Sequence, residues 1–142
     1  IKRMNYKIVA KYIKDLKFEI PNPKLFFLLA KEIGNYRINI DIKSNQFKEK
    51  IIEVETTLSL KPIKESVEKI NTRITYSAIV EIQDKISSKE DLEKIILINV
   101  PSDIYSDLRN VFIFMFNSSG FKQIKIDEKI NFSELYKLRK GQ

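Results

Sequence analysis

A ten-residue segment, Ile51 to Leu60 (IIEVETTLSL), alternates between two kinds of side chain. Its even-numbered positions are apolar or threonine, whereas the odd positions after Ile51 are polar, namely Glu53, Glu55, Thr57 and Ser59. Successive side chains of a β-strand leave on opposite faces, so this pattern predicts a strand with one buried and one solvated face. A slip of one residue would expose every apolar group, and the register is therefore strongly fixed.

The same alternation predicts three more strands, at about residues 6 to 20, 36 to 43 and 70 to 82. In the first, a bend or bulge is expected near Lys14 and Asp15, and the sequence Pro21-Asn22-Pro23 ends the strand. The polar stretch Ser44 to Lys50 is expected to connect the second strand to the Ile51 strand as an antiparallel neighbour. One apolar face of the first strand is predicted to comprise Tyr6, Ile8, Ala10, Tyr12, Leu16, Phe18 and Ile20.

Helical signals dominate the remainder of the chain. Ser87 or Ser88 is a candidate N-cap, Pro101 is expected to restart the helix, and Ser118 to Gly120 ends it. Asn131 is expected to cap a last helix, with Glu134 at its third position. These elements predict an α+β fold in one domain, residues 1 to 142, with a four-stranded antiparallel sheet packed against C-terminal helices.

The apolar stretch from Leu25 to Ile33 (LFFLLAKEI) leaves two interpretations open. It is expected to form a helical turn or two that caps the sheet. Such a segment either packs on the core or remains mobile and covers a binding groove.

Composition argues against catalysis. The chain has no Cys and no His, so thiolate or imidazole ligands and the usual general base are missing. Three glycines cannot form a phosphate-binding loop, and pairs such as Glu53 with Glu55 or Asp103 with Asp107 are best explained as solvated faces. We predict a protein that is not an enzyme and needs no metal or cofactor. No apolar run approaches the roughly 20 residues of a membrane span, so a soluble, cytoplasmic protein is expected.

The net charge of +7 lies in the first third of the chain. Residues 1 to 50 hold 12 Lys or Arg against 5 Asp or Glu, whereas residues 51 to 142 hold 14 of each. A basic surface attracts nucleic acid, anionic membranes or acidic proteins. The lysines are scattered, however, and they form no nucleic-acid motif, so a solvated surface is the simpler interpretation.

Aromatic and apolar residues exceed what a core of this size needs. Ile113 and Phe114 make the end of the long helix apolar on all sides, so that end must be covered by more than one neighbour. We therefore expect a subunit interface, a binding groove, or both.

Several strings resemble the SecB protein-export chaperone family. Tyr12 to Asn22 (YIKDLKFEIPN) is similar to the family's first strand, and Ile38 to Ile42 resembles its alternating second strand. Tyr105 and Arg109 follow Pro101 in the long helix. Phe121 and then Ile130 to Tyr136 (INFSELY) resemble the closing segment. The resemblance covers nearly the whole chain.

The resemblance implies a holdase that binds unfolded preproteins in hydrophobic grooves without ATP and keeps them export-competent for the SecA motor. It implies a homotetramer, a dimer of dimers. By resemblance, SecA docking falls on Asp15 and Glu19. The subunit interface falls on Tyr12, Tyr105, Arg109 and Phe112, and client contact falls on Phe26, Phe27, Tyr36, Ile38, Ile40 and Ile42.

The chain also departs from the family pattern. A glycine pair of the fourth strand is replaced by Tyr76-Ser77-Ala78, and Thr72 or Arg73 stands where a further acidic residue is expected. A SecB-like chaperone for another client, such as the antitoxin of a toxin–antitoxin module, is therefore an alternative function. A basic nucleic-acid-binding domain is the second alternative.

Overall fold

In the computed structural model, residues 5–63, 70–83, 88–121 and 124–140 are described. The strands are β1 (Tyr6–Glu19), β2 (Tyr36–Lys48), β3 (Ile51–Pro62) and β4 (Asn71–Ile82). They form one antiparallel sheet in the order β1-β4-β3-β2, which leaves β1 and β2 as edge strands. The helices pack on one face of this sheet, so the predicted α+β architecture is confirmed.

Strand β3 has the predicted faces. Val54, Thr56, Leu58 and Leu60 are buried beneath the helices. Glu53, Glu55, Thr57 and Ser59 point to the opposite side of the sheet. We call the helix-covered side of the sheet the inner face and the other side the outer face.

The predicted apolar face of β1 is wrong in its middle third. The strand has the expected bulge at Lys14, between Ile13 and Asp15, but a second register shift lies between Ile8 and Ala10. Each bulge adds one residue and reverses which positions face inward. Tyr12 therefore lies opposite Ser77 on the outer face instead of joining the core.

Strand β2 is longer than predicted, because the segment from Ser44 to Lys48 continues the ladder instead of forming a connection. Gln46 pairs with Ile52 and Lys48 with Ile51, so Phe47 is an extra residue. A two-residue turn closes the hairpin at Lys50, which has a φ of 64°. The segment from Ser44 to Lys48 was not predicted as part of the strand because it is polar. Both of its faces are exposed at this end of the sheet, so it shows no apolar alternation.

Helix α1 (Pro23–Glu32) is a regular helix of 10 residues and not merely a turn. Asn22 caps it, accepting a hydrogen bond from the Leu25 amide at 2.8 Å. Leu29 is fully buried, and Phe26 lies edge to face on Phe27 and 5.0 Å from the ring of Phe121. The helix is therefore anchored to the core by one face.

Pro101 lies in the first turn of the long helix, as predicted, but the helical region is continuous across it. Helix α2 (Lys89–Lys94) starts at the predicted cap Ser88, and a π-helical segment (Ile95–Asn99) joins it directly to α3 (Val100–Ser118). The wider π turn accommodates a proline that has no N–H to donate. Helix α3 ends as predicted, with Gly120 in the left-handed region at a φ of 96°.

Helix α3 covers the inner face with a stripe of buried residues at helical spacing. Phe116 contacts Phe18 of β1 in an edge-to-face pair at 4.9 Å. Helix α4 (Phe132–Lys140) starts at the predicted cap Asn131 and packs Phe132 on Tyr105. The fully buried α3 side chains are Val100, Ile104, Leu108, Phe112 and Phe116.

Two sequence predictions fall partly outside the described residues, namely the alternative cap Ser87 and residues 122 and 123 of the extended link before α4. Within the described ranges, none of the helices is long and apolar enough to cross a membrane.

Candidate functional site

The inner face of β2 is only partly covered. Strand β2 is an edge strand, so β3 flanks it on one side alone. Ile38, Ile40 and Ile42 point inward by the strand alternation, yet all three remain half-buried. Their open sides line two grooves between β2 and the C-terminal segment.

The first groove has a volume of about 500 Å³. The edge of the sheet forms its floor, and the chain between α3 and α4 forms its wall. The apolar lining consists of Ile33, Tyr36, Ile38, Ile40, Leu60, Ile124, Ile126 and Ile130, and the charged lining of Arg37, Lys125 and Asp127.

The second groove, of about 710 Å³, continues along β2 from Ile42 to Asn45. Ile40 and Ile42 are neighbours on one face of the strand, so the two grooves follow one another along its length. Its far wall comes from the π-helical segment and α4. The lining residues beyond β2 are Glu93, Ile96, Leu97, Tyr136, Arg139 and Lys140.

The wall of the first groove is fastened to α3. The Tyr105 hydroxyl donates to the backbone oxygen of Asp127 at 2.7 Å, and the Arg109 guanidinium donates to that of Ile126 at 3.2 Å. Burial, and to a smaller extent Asp127, raises the pKa of Tyr105, while nearby Arg109 opposes the shift. Tyr105 therefore remains a neutral donor at physiological pH and holds an irregular segment in place.

Helix α1 borders a third depression, of about 530 Å³. Phe26 lines it beside Phe18 and Ile20, whereas Phe27 projects into solvent and is 69% exposed. A Cβ atom at Gly120 would lie 3.2 Å from the Phe26 ring. Close packing at this glycine fixes Phe26, so Phe27 is left as the free apolar surface of the helix.

Three polar side chains on the outer face form hydrogen bonds with Glu53. Its carboxylate accepts hydrogen bonds from Ser77 at 2.7 Å, Tyr12 at 3.1 Å and Lys14 at 3.0 Å. The Ser77 bond is the main cause that lowers the pKa of Glu53; Lys14 and Tyr12 contribute, and burial opposes. The carboxylate thus stays ionised and ties β1, β3 and β4 together.

The two predicted SecA-docking carboxylates lie on β1, and both have partners on β4. Asp15 accepts a 2.6 Å hydrogen bond from Arg73, and Glu19 lies 3.4 Å from the side-chain nitrogen of Asn71. Arg73 is one of the two positions, with Thr72, at which the family resemblance implies a further acidic residue. The cation therefore partly neutralises this surface.

The predicted interface residues lie in different environments. Tyr12 is exposed on β1, but Phe112 is fully buried within the single chain and Tyr105 nearly so. Their contacts are internal: Phe112 packs on Phe116, and Tyr105 supports the groove wall. The exposed apolar side chain of α3 is instead Phe114, which is 67% exposed.

The predicted client-contact residues divide between the grooves and α1. Tyr36, Ile38 and Ile40 line the first groove and Ile42 the second, whereas Phe26 and Phe27 lie on α1. Sequence reasoning missed the opposite walls. The alternation of Ile124 and Ile126 was the available signal for one wall. For the other wall the signals were the apolar stripes of two separate helical segments, which contribute Ile96 and Tyr136.

Comparison with known proteins identifies the family. The family profile described as "Preprotein translocase subunit SecB" matches residues 2–142. A Pelagibacter ubique protein assigned as protein-export protein SecB is 42% identical over 135 residues, which cover 95% of this chain and 96% of that protein. The protein-export protein SecB of Anaplasma phagocytophilum is 27% identical over 142 residues, 92% of this chain and 89% of that protein.

A solved structure has the same fold. It is a SecB-like chaperone of Mycobacterium tuberculosis in complex with a ChAD peptide from an antitoxin. The TM-score is 0.61 at 9% sequence identity, with coverage of 87% of this chain and 90% of that chain. The chain therefore belongs to the SecB family of protein-export chaperones.

Proposed function

We propose that this protein holds unfolded preproteins in the two grooves along β2 and keeps them competent for export. One observation carries the proposal: the inward isoleucines of an edge strand remain half-open to solvent beside an apolar wall. Burying such surface against a client is favourable at about 25 cal/mol per Å². Such apolar contacts do not depend on a particular client sequence, so many different clients could bind in the grooves.

An extended client suits the grooves better than a folded one. A folded domain buries its own apolar side chains, whereas an unfolded segment exposes them and, when extended, directs every second side chain to the same side. Ile38, Ile40 and Ile42 repeat at the same spacing. Each contact is weak, so retention depends on several grooves acting on one client.

Several grooves would be supplied by the homotetramer, a dimer of dimers, that we propose as the working assembly. The exposed apolar residues of edge strand β1 support it, because such an edge invites pairing with another chain. Phe114 provides a second apolar surface on α3. Tyr12 and Arg109 remain the proposed contact residues, whereas Tyr105 and Phe112 act from inside the subunit.

The proposed partner after client capture is the SecA motor, docked at Asp15 and Glu19 on the outer face. This face lies on the opposite side of the sheet from the grooves, so a motor could bind while the client is still held. The protein would act in the cytoplasm, before translocation.

An antitoxin is the second candidate client. The Mycobacterium tuberculosis chaperone is bound to an antitoxin peptide, and grooves of this kind accept any extended apolar segment. Preproteins are favoured as clients because the 42% identical relative is assigned to protein export.

Light scattering of an unfolding client tests the holding activity. In the absence of nucleotide, an equimolar amount of the protein should suppress aggregation, and dilution of the mixture should release the client. Undiminished aggregation with excess protein would refute the proposal. A protein dependent on ATP for suppression would refute the ATP-independent mechanism.

A further inference from the structure

Cations border both grooves on the inner side of the sheet. The first has Lys125 and one carboxylate, Asp127, in its wall. Around the second, Arg139 and Lys140 stand against one carboxylate, Glu93. Arg37 and Lys43 of β2 also border the grooves, but they alternate with the inward isoleucines and point to the outer face.

The carboxylate of the second groove, Glu93, already has partners within the chain. Glu93 accepts a hydrogen bond from the Tyr136 hydroxyl at 3.3 Å and lies 3.7 Å from Lys140 Nζ. Arg139 is next to Lys140 in the last turn of α4 and, within the part of the chain that the structure describes, makes no ion pair. Positions three and four residues after Tyr136 share its helix face. The last turn of α4 therefore presents Arg139 to an incoming ligand.

The first groove also offers a cation to a ligand. Lys125 is exposed and, among the described residues, makes no ion pair. A client segment in either groove would therefore place its apolar side chains on isoleucines and its flanking residues among cations. Opposite charges at such a rim favour binding and like charges oppose it.

We infer that the grooves select apolar segments flanked by Asp or Glu and disfavour those flanked by Lys or Arg. The inference rests on the proposed holding function and names the class of segment that it takes. Net charge alone would attract acidic clients to any part of the surface. The groove lining, in contrast, places the preference beside the apolar contacts.

Three synthetic peptides test the inference. They share one apolar core and differ only in flanking residues, which are Asp and Glu, Ser and Asn, or Lys and Arg. Isothermal titration with the full chain should give about tenfold tighter binding for the acidic peptide than for the basic one. The ratio should shrink in roughly 1 M salt, where charges more than about 3 Å apart are screened.

Matched variants locate the effect. Replacing Lys125→Gln and Arg139→Gln together should reduce the preference to less than about threefold. Replacing Lys48→Gln and Lys89→Gln removes the same charge outside the grooves and should leave the preference intact. Both pairs of side chains are exposed, so folding should be unaffected.

Equal affinity for the three peptides, or tighter binding of the basic one, would overturn the inference while leaving the holding function standing. If both double variants lost the preference for acidic peptides to the same extent, the groove cations would not be its cause. If none of the peptides binds, the proposed function itself fails, and the inference fails with it.

Discussion

Arg73 Nε on β4 lies 2.6 Å from Asp15 Oδ2 on the neighbouring strand β1. The pair sits on the outer face, and about half of each side chain is exposed. Exposed ion pairs contribute about 0 to 1 kcal/mol to stability. The main effect of Arg73 is thus on recognition, because it occupies a carboxylate that we propose for motor docking.

Replacing Arg73→Ala should strengthen binding to SecA. Freeing Asp15 leaves its carboxylate available to a basic partner surface, and an increase in affinity of about fivefold is expected. Surface plasmon resonance with immobilised SecA measures the change. Lys48→Ala is the control, since it removes one positive charge at the hairpin tip. An equal gain from both variants would attribute the effect to net charge, and no gain would contradict the docking role of Asp15.

Replacing Glu53→Gln should make stability less dependent on pH in acid. The folded state lowers the pKa of Glu53 below its ordinary value of 4.5. Its carboxylate therefore contributes stability above that value and loses it as the pH falls through the folded-state pKa. Urea unfolding should show a variant about 1 kcal/mol less stable at about pH 7 and a smaller difference at about pH 3.

Glu55→Gln is the control for that experiment. Glu55 neighbours Lys14 at 3.4 Å on the same face, and a similar fraction of its side chain is exposed. Its substitution should cost less than that of Glu53 at about pH 7. A Glu53→Gln variant whose stability falls with acid as steeply as the parent's would contradict the assignment.

Replacing Phe27→Ser should separate client binding from folding. Phe27 is 69% exposed, so its loss should change the free energy of unfolding by less than about 0.5 kcal/mol. Loss of the aromatic contact should weaken the affinity for an unfolded client about tenfold. Leu29→Ala, on the buried side of α1, should instead destabilise the protein by about 2 to 5 kcal/mol. Unchanged client affinity in Phe27→Ser would remove this residue from the binding surface.

Replacing Phe114→Ser should weaken self-association. This side chain is 67% exposed on α3 in the single chain, and burial against another subunit would stabilise an oligomer. Sedimentation at micromolar concentration should show a shift from tetramer towards smaller species. Phe47→Ser, equally exposed at the hairpin tip, should leave the mass unchanged. A monomeric parent protein would contradict the proposed assembly.

The alternation of side chains was sufficient to predict the four strands, most clearly β3, where Val54 and Leu58 are buried and Glu53 faces outward. The prediction of which β1 residues face the core was partly wrong, because a bulge changes the phase of a strand without changing its composition. The bulge at Lys14 was predicted from the interruption of the apolar pattern. The bulge at Val9 places an apolar residue among apolar neighbours and leaves no such interruption.

The grooves were less predictable than the sheet. Ile38, Ile40 and Ile42 were identified, but their opposite wall depends on hydrogen bonds from Tyr105 and Arg109 to a segment near Ile126. Such long-range contacts leave no periodic signal in the sequence. Phe112 was assigned to a subunit interface by the family resemblance, and only the packing of α3 on the sheet shows that its side chain is buried within the chain.

Site-specific photo-crosslinking tests the central claim most directly. The chain has no Cys, so single substitutions Ile40→Cys and Asp41→Cys can each carry one photoreactive label. These adjacent residues of β2 face opposite sides of the sheet. If the grooves hold the client, the label at residue 40 should crosslink an unfolded preprotein efficiently and the label at residue 41 should not. Equal crosslinking from both positions, or crosslinking from residue 41 alone, would contradict client binding in the grooves.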